Sequence, residues 1–357
     1  MSVLVAMSGG VDSSVAAALL MEQGLRCAGA TLRLTHNDPA FDDTVRERTC
    51  CSLSDVEDAR SVCARLGIAF YVLNFTEQFN QTVVRRFAEG YLRGETPNPC
   101  IDCNRFVKFH AIAARADLMG HAQIASGHYA QSGLDPVGGR YYLKKGVDLS
   151  KDQSYVLYCL PQDILKRTLF PLGALTKAQV REIAQSRGFL NAGKHDSQDI
   201  CFVPDGDYAG FLERYTGIAL REGDFLNPDG VCIGKHRGFA RYTIGQRKGL
   251  GLSLKSPGYV CGIDAKKNTV TVGGETQLLS RDLTARELNF VGVAAIKSPL
   301  RCKAKIRYRH SEQSCVAEQI DTDVLRVRFD EPQRAITAGQ DVVLYDDDYV
   351  LGGGIIT

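Results

Sequence analysis

Val3-Leu4-Val5-Ala6-Met7-Ser8-Gly9-Gly10-Val11-Asp12-Ser13-Ser14 decides how this chain begins to fold. Val3 to Met7 is a short apolar run of the kind that forms a buried strand. Ser13 to Gln23 is rich in Ala and Leu and reads as a helix. A Gly-Gly turn between them lets backbone N–H groups converge on an anion, and the helix N-terminus adds partial positive charge. Ser8, Ser13 and Ser14 contribute hydroxyl donors. The glycines alone fit a plain strand–helix turn, with Gly supplying positive φ and Asp12 acting as a cap. The full Ser-Gly-Gly-Val-Asp-Ser string favours a phosphate site. It is not a Walker loop, because Gly-x-x-x-x-Gly-Lys-Ser/Thr is absent and no lysine lies in the loop.

Outward from this loop the same rhythm continues. Cys27 to Leu34, Ala69 to Phe75 and Ala122 to Ser126 read as strands; Leu53 to Leu66, Phe79 to Tyr91, Asn104 to Met119 and Lys177 to Arg187 read as helices. Such alternation implies an α/β domain with a parallel sheet covered on both faces, its ligands at the carboxyl ends of the strands. The rhythm ends near Asp205. Beyond it, short alternating runs broken by Gly, Pro and Asn predict small antiparallel β domains: Tyr259 to Ile263, Thr269 to Val272, Arg301 to Tyr308, Val324 to Phe329 and Asp341 to Tyr345. The expected division is 1–205 for the α/β domain, 206–275 for a small β-rich domain and 276–357 for a last β domain.

The 357 residues, 44% hydrophobic and 24% charged, suit two or three globular domains and exclude a disordered or collagen-like chain. A net charge of +2 excludes a globally polybasic protein. No apolar run approaches the roughly 18 residues that span a bilayer. The first residues lack the basic and apolar regions of a signal peptide. A soluble, cytoplasmic protein without a membrane partner is expected.

Twelve cysteines in a chain this long do not make a disulfide scaffold. Cys27, Cys159, Cys232, Cys261, Cys302 and Cys315 sit singly in apolar or alternating stretches and read as small hydrophobes. Two others stand in polar surroundings. Thr96-Pro97-Asn98-Pro99-Cys100-Ile101-Asp102-Cys103-Asn104 reads as a Pro-punctuated loop opening a helix near Asn104, where the dipole would favour a thiolate. Lys194-His195-Asp196-Ser197-Gln198-Asp199-Ile200-Cys201-Phe202 is polar up to Cys201 and then apolar. Zinc asks for four Cys/His ligands, and Cys100/Cys103 have no matching second pair. A resting Cys103–Cys201 disulfide conflicts with a reducing compartment, whereas a transient one does not. Sulfur chemistry at a pair of reactive thiols, beside a phosphate site, accounts for the most residues.

Arg301, Lys303, Lys305, Arg307 and Arg309 alternate with Cys302, Ala304, Ile306 and Tyr308. Period two puts these cations on one face of a strand. A solvated outer face is the plain explanation, but like charges in register repel, which favours nucleic-acid contact. Val231 to Ile263, also free of acids, carries Lys235, Arg237, Arg241, Arg247, Lys248 and Lys255 among glycines and suits a loop following a nucleic-acid backbone.

The phosphate loop resembles that of the N-type ATP pyrophosphatases, the PP-loop superfamily. Further strings extend the resemblance, over nearly the whole chain, to the tRNA-specific 2-thiouridylases: Cys50-Cys51-Ser52, Thr96-Pro97-Asn98-Pro99, Cys103-Asn104, Gly127-His128-Tyr129, Lys151-Asp152-Gln153-Ser154-Tyr155, Asp196-Ser197-Gln198-Asp199-Ile200-Cys201-Phe202, Tyr242-Thr243-Ile244-Gly245-Gln246-Arg247-Lys248-Gly249-Leu250-Gly251 and Leu351-Gly352-Gly353-Gly354. The resemblance implies a PP-loop catalytic domain, a small central tRNA-binding domain and a C-terminal β-barrel. It also implies ATP held by Ala6, Met7, Ser8, Gly9, Gly10, Val11, Asp12 and Ser13 with Leu32 and Gly127, and Mg²⁺ shared between phosphate oxygens and Asp12. Leu32 departs from the methionine common at its position.

The implied reaction adenylates the C2 carbonyl oxygen of the wobble uridine, position 34, of tRNA, because AMP leaves more readily than a carbonyl oxygen. Cys201 would carry a persulfide supplied by a cysteine desulfurase or a sulfur-relay protein. Cys103 would be its catalytic partner, releasing sulfur with a transient Cys103–Cys201 disulfide. Cys100 stands where many relatives carry an acid, so an iron–sulfur cluster on Cys100, Cys103 and Cys201 is an open alternative. Cys50 and Cys51 read as structural. By the same resemblance, His128, Lys151, Asp152 and Gln153 contact tRNA near the pocket, the last three as a flexible loop ordered on binding, and Arg307, Tyr308 and Gln340 contact it from the β domain. An amide-forming ligase on the same loop would leave both cysteines and the basic strand without a task. A non-catalytic tRNA-binding protein is the rival of a different class.

Overall fold

The computed structural model describes residues 1–35, 53–194, 200–203 and 205–357. The Cys50-Cys51-Ser52 string and the segment Asp196-Ser197-Gln198-Asp199 lie outside the described residues. Strands β1 (Ser2–Ala6), β2 (Arg26–Arg33), β3 (Ala69–Asn74) and β4 (Gln123–Ala125) are followed by a hairpin, β5 (Ala130–Leu134) and β6 (Tyr141–Lys145), and by the short β7 (Thr168–Leu169). The parallel sheet runs β3-β2-β1-β4-β7. The chain fills one side of β1 with β2 and β3, then crosses to the other with β4. The carboxyl ends of β1 and β4 therefore flank a topological switch point, where doubly wound sheets bind ligands.

Alternation along β1 feeds two cores. Leu4 enters a cluster with Phe87, Ile112 and Phe211, whereas Val3, Val5 and Met7 enter one with Val15, Ala17, Val62 and Val180. The helix Val11–Glu22 is buried on nearly every side, and its run of Ala16, Ala17 and Ala18 lets neighbouring helices approach closely. On the other face Phe87 meets Phe202 edge-on at 5.2 Å, and Phe202 meets Phe79 at 5.8 Å. The helix Tyr208–Thr216, although beyond Asp205, packs back into this aromatic core through Phe211 and Leu212.

A small sheet follows, ordered β10-β11-β8-β9, from β8 (Gly223–Leu226), β9 (Cys232–His236), β10 (Tyr259–Asp264) and β11 (Thr269–Gly273). Phe225, Tyr242, Val260, Val270 and Val272 fill its core. The pairing is antiparallel except that β11 and β8 run parallel. The last unit comprises β12 (Leu279–Phe290), β13 (Leu300–Lys305), β14 (Gln313–Asp321), β15 (Val324–Arg334), β16 (Asp341–Asp346) and β17 (Tyr349–Ile356). Pairing of β12 with β17 closes it into an antiparallel barrel. The hairpin β5–β6 extends the barrel's sheet through Tyr349 opposite Lys144. Among the described residues no helix is long and apolar enough to cross a membrane.

Two local expectations are corrected. The helix read from Asn104 begins at Pro99: the Asn98 side chain accepts from the Cys100 N–H at 3.2 Å, and Pro99 takes the first helical position, where its missing N–H is harmless. Cys103 is therefore inside helical structure, at the entry to a π-helical turn spanning Cys103–Lys108, and not in a loop before a helix. The strand read as Arg301 to Tyr308 ends at Lys305, so Arg307 and Arg309 lie beyond it and Tyr308 is exposed.

The barrel meets the first domain through buried polar contacts. Tyr158 donates its hydroxyl to Asp341 Oδ1 at 2.6 Å, Tyr155 donates to the Asp341 carbonyl at 2.8 Å, and Asn289 Nδ2 donates to the Tyr158 carbonyl at 2.6 Å. Burial pushes the Asp341 carboxyl up to about 7, against the pull of the Tyr158 hydrogen bond and Arg105 and with the push of Asp102 and Glu287. An unfolded aspartate titrates near 3.9, so between that pH and about 7 the folded state holds a proton that the unfolded state has lost. This contribution to stability is complete below about pH 4 and vanishes as pH rises through 7. Asp341→Asn keeps the acceptor but cannot ionise. Its melting temperature should fall less than wild type's between pH 5 and 8, by on the order of 5 °C in thermal scans; parallel curves would remove Asp341 as the titrating group.

Candidate functional site

The loop leaving β1 is held by backbone contacts that only glycine allows. Gly9 has φ +73°, and a Cβ there would lie 2.3 Å from the Asp55 carbonyl oxygen. A Cβ on Gly127, just past β4, would lie 2.7 Å from the Asp12 carbonyl carbon and the Ser13 nitrogen. Ser13 and Ser14 donate their hydroxyls to the Gly10 carbonyl at 3.1 and 3.0 Å, and Asn191 Nδ2 donates to the Gly9 carbonyl at 2.9 Å. These bonds fix the loop's carbonyls. The first-turn N–H groups, which have no intrahelical acceptor, fall at Val11, Asp12 and Ser13, beside Gly9 and Gly10. The structure thus brings Ala6 through Ser13 and Gly127 together at the switch point. Leu32 lies near the carboxyl end of β2, the strand beside β1, with its side chain buried.

Asp12 does something its position in the sequence did not reveal. Its Oδ1 accepts from the Tyr129 hydroxyl at 2.8 Å, and both carboxylate oxygens accept from Lys177 Nζ at 2.8 Å. Lys177 opens the helix Lys177–Ser186 behind a Thr176 capping box, and its own N–H donates to Asp148 Oδ2 at 3.0 Å. It is only 8% exposed. A buried lysine in the first turn of a helix opposes the dipole, so it needs an anionic partner. A lysine directly after the Thr176 cap is the sequence feature that points to such a partner. The loop without a lysine of its own receives one from a distant helix. Mg²⁺ on Asp12, as expected from the resemblance, would have to compete with this ammonium, so the residues present do not offer that carboxylate to a metal as they stand.

Cys103 is buried, Cys100 is exposed in the first helical turn, and Cys201 is partly buried. Cys103 and Cys201 contribute to the same apolar cluster, and the ring of Phe202, packed at 5.3 Å from Phe211, anchors the Cys201 segment there. Among the described residues no group of three or more His, Cys, Asp or Glu side chains is arranged to hold a metal. Beside Cys103, Asp102 accepts from Arg86 Nε at 3.3 Å; burial pushes its carboxyl up while Arg86 and Arg105 pull it down.

Of the residues expected to contact tRNA, Tyr308 and Gln340 bridge the first domain and the barrel, whereas His128 bonds within the first domain and Arg307 within the barrel. His128 Nδ1 lies 2.9 Å from the Ser126 hydroxyl; burial, with Lys108 nearby, pushes the imidazole down to about 3, so it is neutral at pH 7. Lys151–Gln153, expected as a flexible loop, forms a hydrogen-bonded turn. Asp152 Oδ1 accepts from the N–H groups of Gly146 and Ser154, both at 3.1 Å, and Gln153 Oε1 accepts from the Tyr129 N–H at 3.1 Å. Tyr308 reaches this turn, its hydroxyl donating to the Asp152 carbonyl at 3.1 Å. Gln340 Nε2 donates to the Thr96 carbonyl at 2.6 Å, and Arg307 Nη1 to the Arg334 carbonyl at 3.3 Å.

The basic face is narrower than the alternation suggested. Arg301 is paired with Asp330, and Lys305 is half-buried over the Tyr155 ring at 5.8 Å. In the central unit Arg241 pairs with Glu213 and Lys235 with Asp224. Arg247 and Lys255 instead line an open cleft of about 390 Å³ with Gly249, Gly251 and Gly258.

Gly127→Ala tests the crevice. The added methyl meets backbone at 2.7 Å and cannot be accommodated by side-chain rotation, so the loop must shift. Nucleotide binding measured by calorimetry should weaken by at least about tenfold while far-UV circular dichroism is retained. Unchanged affinity would place the nucleotide elsewhere.

Three family models cover the chain: the tRNA methyl transferase HUP domain over residues 1–205, the tRNA methyl transferase PRC-barrel domain over 209–274 and the aminomethyltransferase β-barrel domain over 280–356. A tRNA-specific 2-thiouridylase MnmA of Acetivibrio thermocellus is 51% identical over 99% of this chain and 98% of its own length. The protein of the same name from Symbiobacterium thermophilum is 50% identical over 99% of this chain and 91% of its own. That from Carboxydothermus hydrogenoformans is 49% identical over 99% and 97%. Identity at this level runs through all three folded units and is not confined to the nucleotide fold, and on that ground the chain belongs to the tRNA-specific 2-thiouridylase family.

Proposed function

We propose that this protein converts the wobble uridine of tRNA to 2-thiouridine, using ATP. The observation that carries the reading is the glycine-built phosphate loop at the switch point of the domain that also carries Cys103 and Cys201. The uridine O2 attacks the α-phosphorus of ATP; the bond to the bridging oxygen breaks and pyrophosphate leaves. Backbone N–H groups at Gly9 to Ser13 bind the phosphate oxygens, and Lys177, held by Asp12, supplies the cation that the loop lacks. Mg²⁺, when bound with ATP, supplies further neutralisation of phosphate charge.

The sulfur arrives as a persulfide on Cys201, delivered by a desulfurase or a relay protein. The Cys103 thiolate attacks the inner sulfur, forming a Cys103–Cys201 disulfide and releasing hydrosulfide. Hydrosulfide then attacks C2 of the adenylated base, AMP leaves with the former carbonyl oxygen, and C2 becomes a thiocarbonyl. A two-electron thiol reductant restores both cysteines for the next turnover. The target base must leave its stack to reach such a site. His128, Lys151, Asp152 and Gln153 on one side and Arg307, Tyr308 and Gln340 on the other are the residues we assign to holding tRNA. Partial burial of the cysteines limits loss of the released sulfide to water.

Nucleoside mass spectrometry on unmodified tRNA incubated with Mg-ATP, a sulfur donor and the protein tests this reading. Wild type should give 2-thiouridine and Cys201→Ser none, with AMP still formed on tRNA addition. Product from Cys201→Ser would overturn the persulfide role, and absence of both products with tRNA well bound would leave only a binding protein. Arg307→Ala should lower the slope of log affinity against log salt by about one phosphate contact. An unchanged slope would remove Arg307 from the interface.

A further inference from the structure

The segment that carries Cys103 is gripped at both ends by the barrel. At its start, Thr96 donates its N–H to the Ala338 carbonyl at 2.9 Å and accepts from Gln340 Nε2 at 2.6 Å. Gly339 lies so close that a Cβ would be 2.9 Å from the Thr96 nitrogen. At its end, Glu287 of β12 takes both Nη2 bonds of Arg86, at 2.9 and 3.0 Å, and Arg105 Nη1 at 3.0 Å. Arg86 also reaches Asp102 at 3.3 Å, the residue immediately before Cys103, and Arg105 follows Cys103 by two positions. Two guanidinium groups thus meet two carboxylates on the helical segment that carries Cys103, Asp102 preceding it and Arg105 following it, and one of those carboxylates comes from another domain.

The barrel makes a local sacrifice to place that carboxylate. Glu287 has φ +51°, a left-handed conformation that a non-glycine residue adopts rarely, within a stretch where the pairing of β12 with β17 shifts register between Arg286 and Asn289. Asp323 holds the conformation, accepting from the N–H groups of Glu287 at 3.2 Å and Leu288 at 2.9 Å. Strain of this sort persists where surrounding contacts over-determine it, commonly at working sites.

We propose that Glu287 is a positioning residue for the Cys103 thiol, closing the ion cluster of Arg86, Arg105 and Asp102 so that the barrel fixes the place and the electrostatic surroundings of the sulfur-handling helix. The barrel is then part of the reaction apparatus as well as a surface for RNA. This rests on the reading that Cys103 acts on sulfur.

The test uses full-length protein and the variants Glu287→Gln and Glu287→Asp, with two readouts. The first is the pH profile of Cys103 alkylation by iodoacetamide, followed by peptide mass spectrometry. The second is kcat and KM for tRNA thiolation. Glu287→Gln removes one negative charge from beside two cations, so the alkylation profile should move to lower pH. kcat should fall by about tenfold, with KM for tRNA changed by less than about twofold. Glu287→Asp, which keeps the charge, should restore the alkylation profile. An unmoved profile and unchanged kcat would overturn the proposal and leave Glu287 as a structural staple; a raised KM at constant kcat would overturn it in favour of RNA binding. The Proposed function fails separately: if Cys103→Ser still thiolates tRNA, Cys103 is not the partner, whereas a shifted alkylation profile in Glu287→Gln still supports the electrostatic positioning.

Discussion

Backbone packed against backbone at the phosphate loop is the constraint from which the first domain is built. Gly9 lies against the Asp55 backbone and Gly127 against that of Asp12 and Ser13, at distances no side chain tolerates. These contacts draw the turns after β1 and β4 and the helix Leu53–Leu66 onto one point. Sheet order puts that point at the switch between the two halves of the sheet. The helix Val11–Glu22 can then be buried on nearly all sides, with alanines in place of a wide polar face. Lys177 completes the arrangement by answering the Asp12 carboxylate from a helix far along the chain.

The parts of this fold that were legible in the sequence are those set by local pattern. The strand–loop–helix unit was visible in apolar runs and glycines, and the helix expected from periodicity at Leu53–Leu66 is present and ends at Leu66. Near Cys103 local pattern is ambiguous, because Asn98-Pro99 also fits loop punctuation. An acceptor side chain followed by proline is equally the opening of a helix, and here the cap bond makes it one. The basic alternation from Arg301 ran past the true end of β13 because charge periodicity does not say where pairing stops. Arg301 found its acid on β15, two strands away, which no one-dimensional count of charge could show.

What local pattern could not show is the dependence of the domains on one another. Glu287 with Arg86 and Arg105, and Tyr158 with Asp341, join two domains across more than 150 positions, and Lys177 with Asp12 spans a similar distance within the first. Lys177 and the Tyr158–Asp341 pair are buried, so removal of either partner there would strand the other in a poorly solvated place, whereas Glu287 meets its two arginines from an exposed position. The candidate RNA residues follow the same logic. Tyr308 and Asp152 belong to different domains yet share a hydrogen bond, so the surface they form exists only when both are docked.

The hairpin β5–β6 has a consequence for how the molecule must be assembled. Its turn contains Gly138 and Gly139, and it continues the sheet of a barrel whose adjoining strand, β17, lies about two hundred residues later in the chain. Synthesis from the N-terminus therefore delivers the hairpin long before its neighbour, with one hydrogen-bonding edge uncovered in the interval. The nucleotide fold and the barrel cannot mature as beads on a string. A truncation before β17 would leave the edges of β6, β12 and β16 without their partner strand, and such a fragment is a candidate for chaperone capture or aggregation rather than for independent folding.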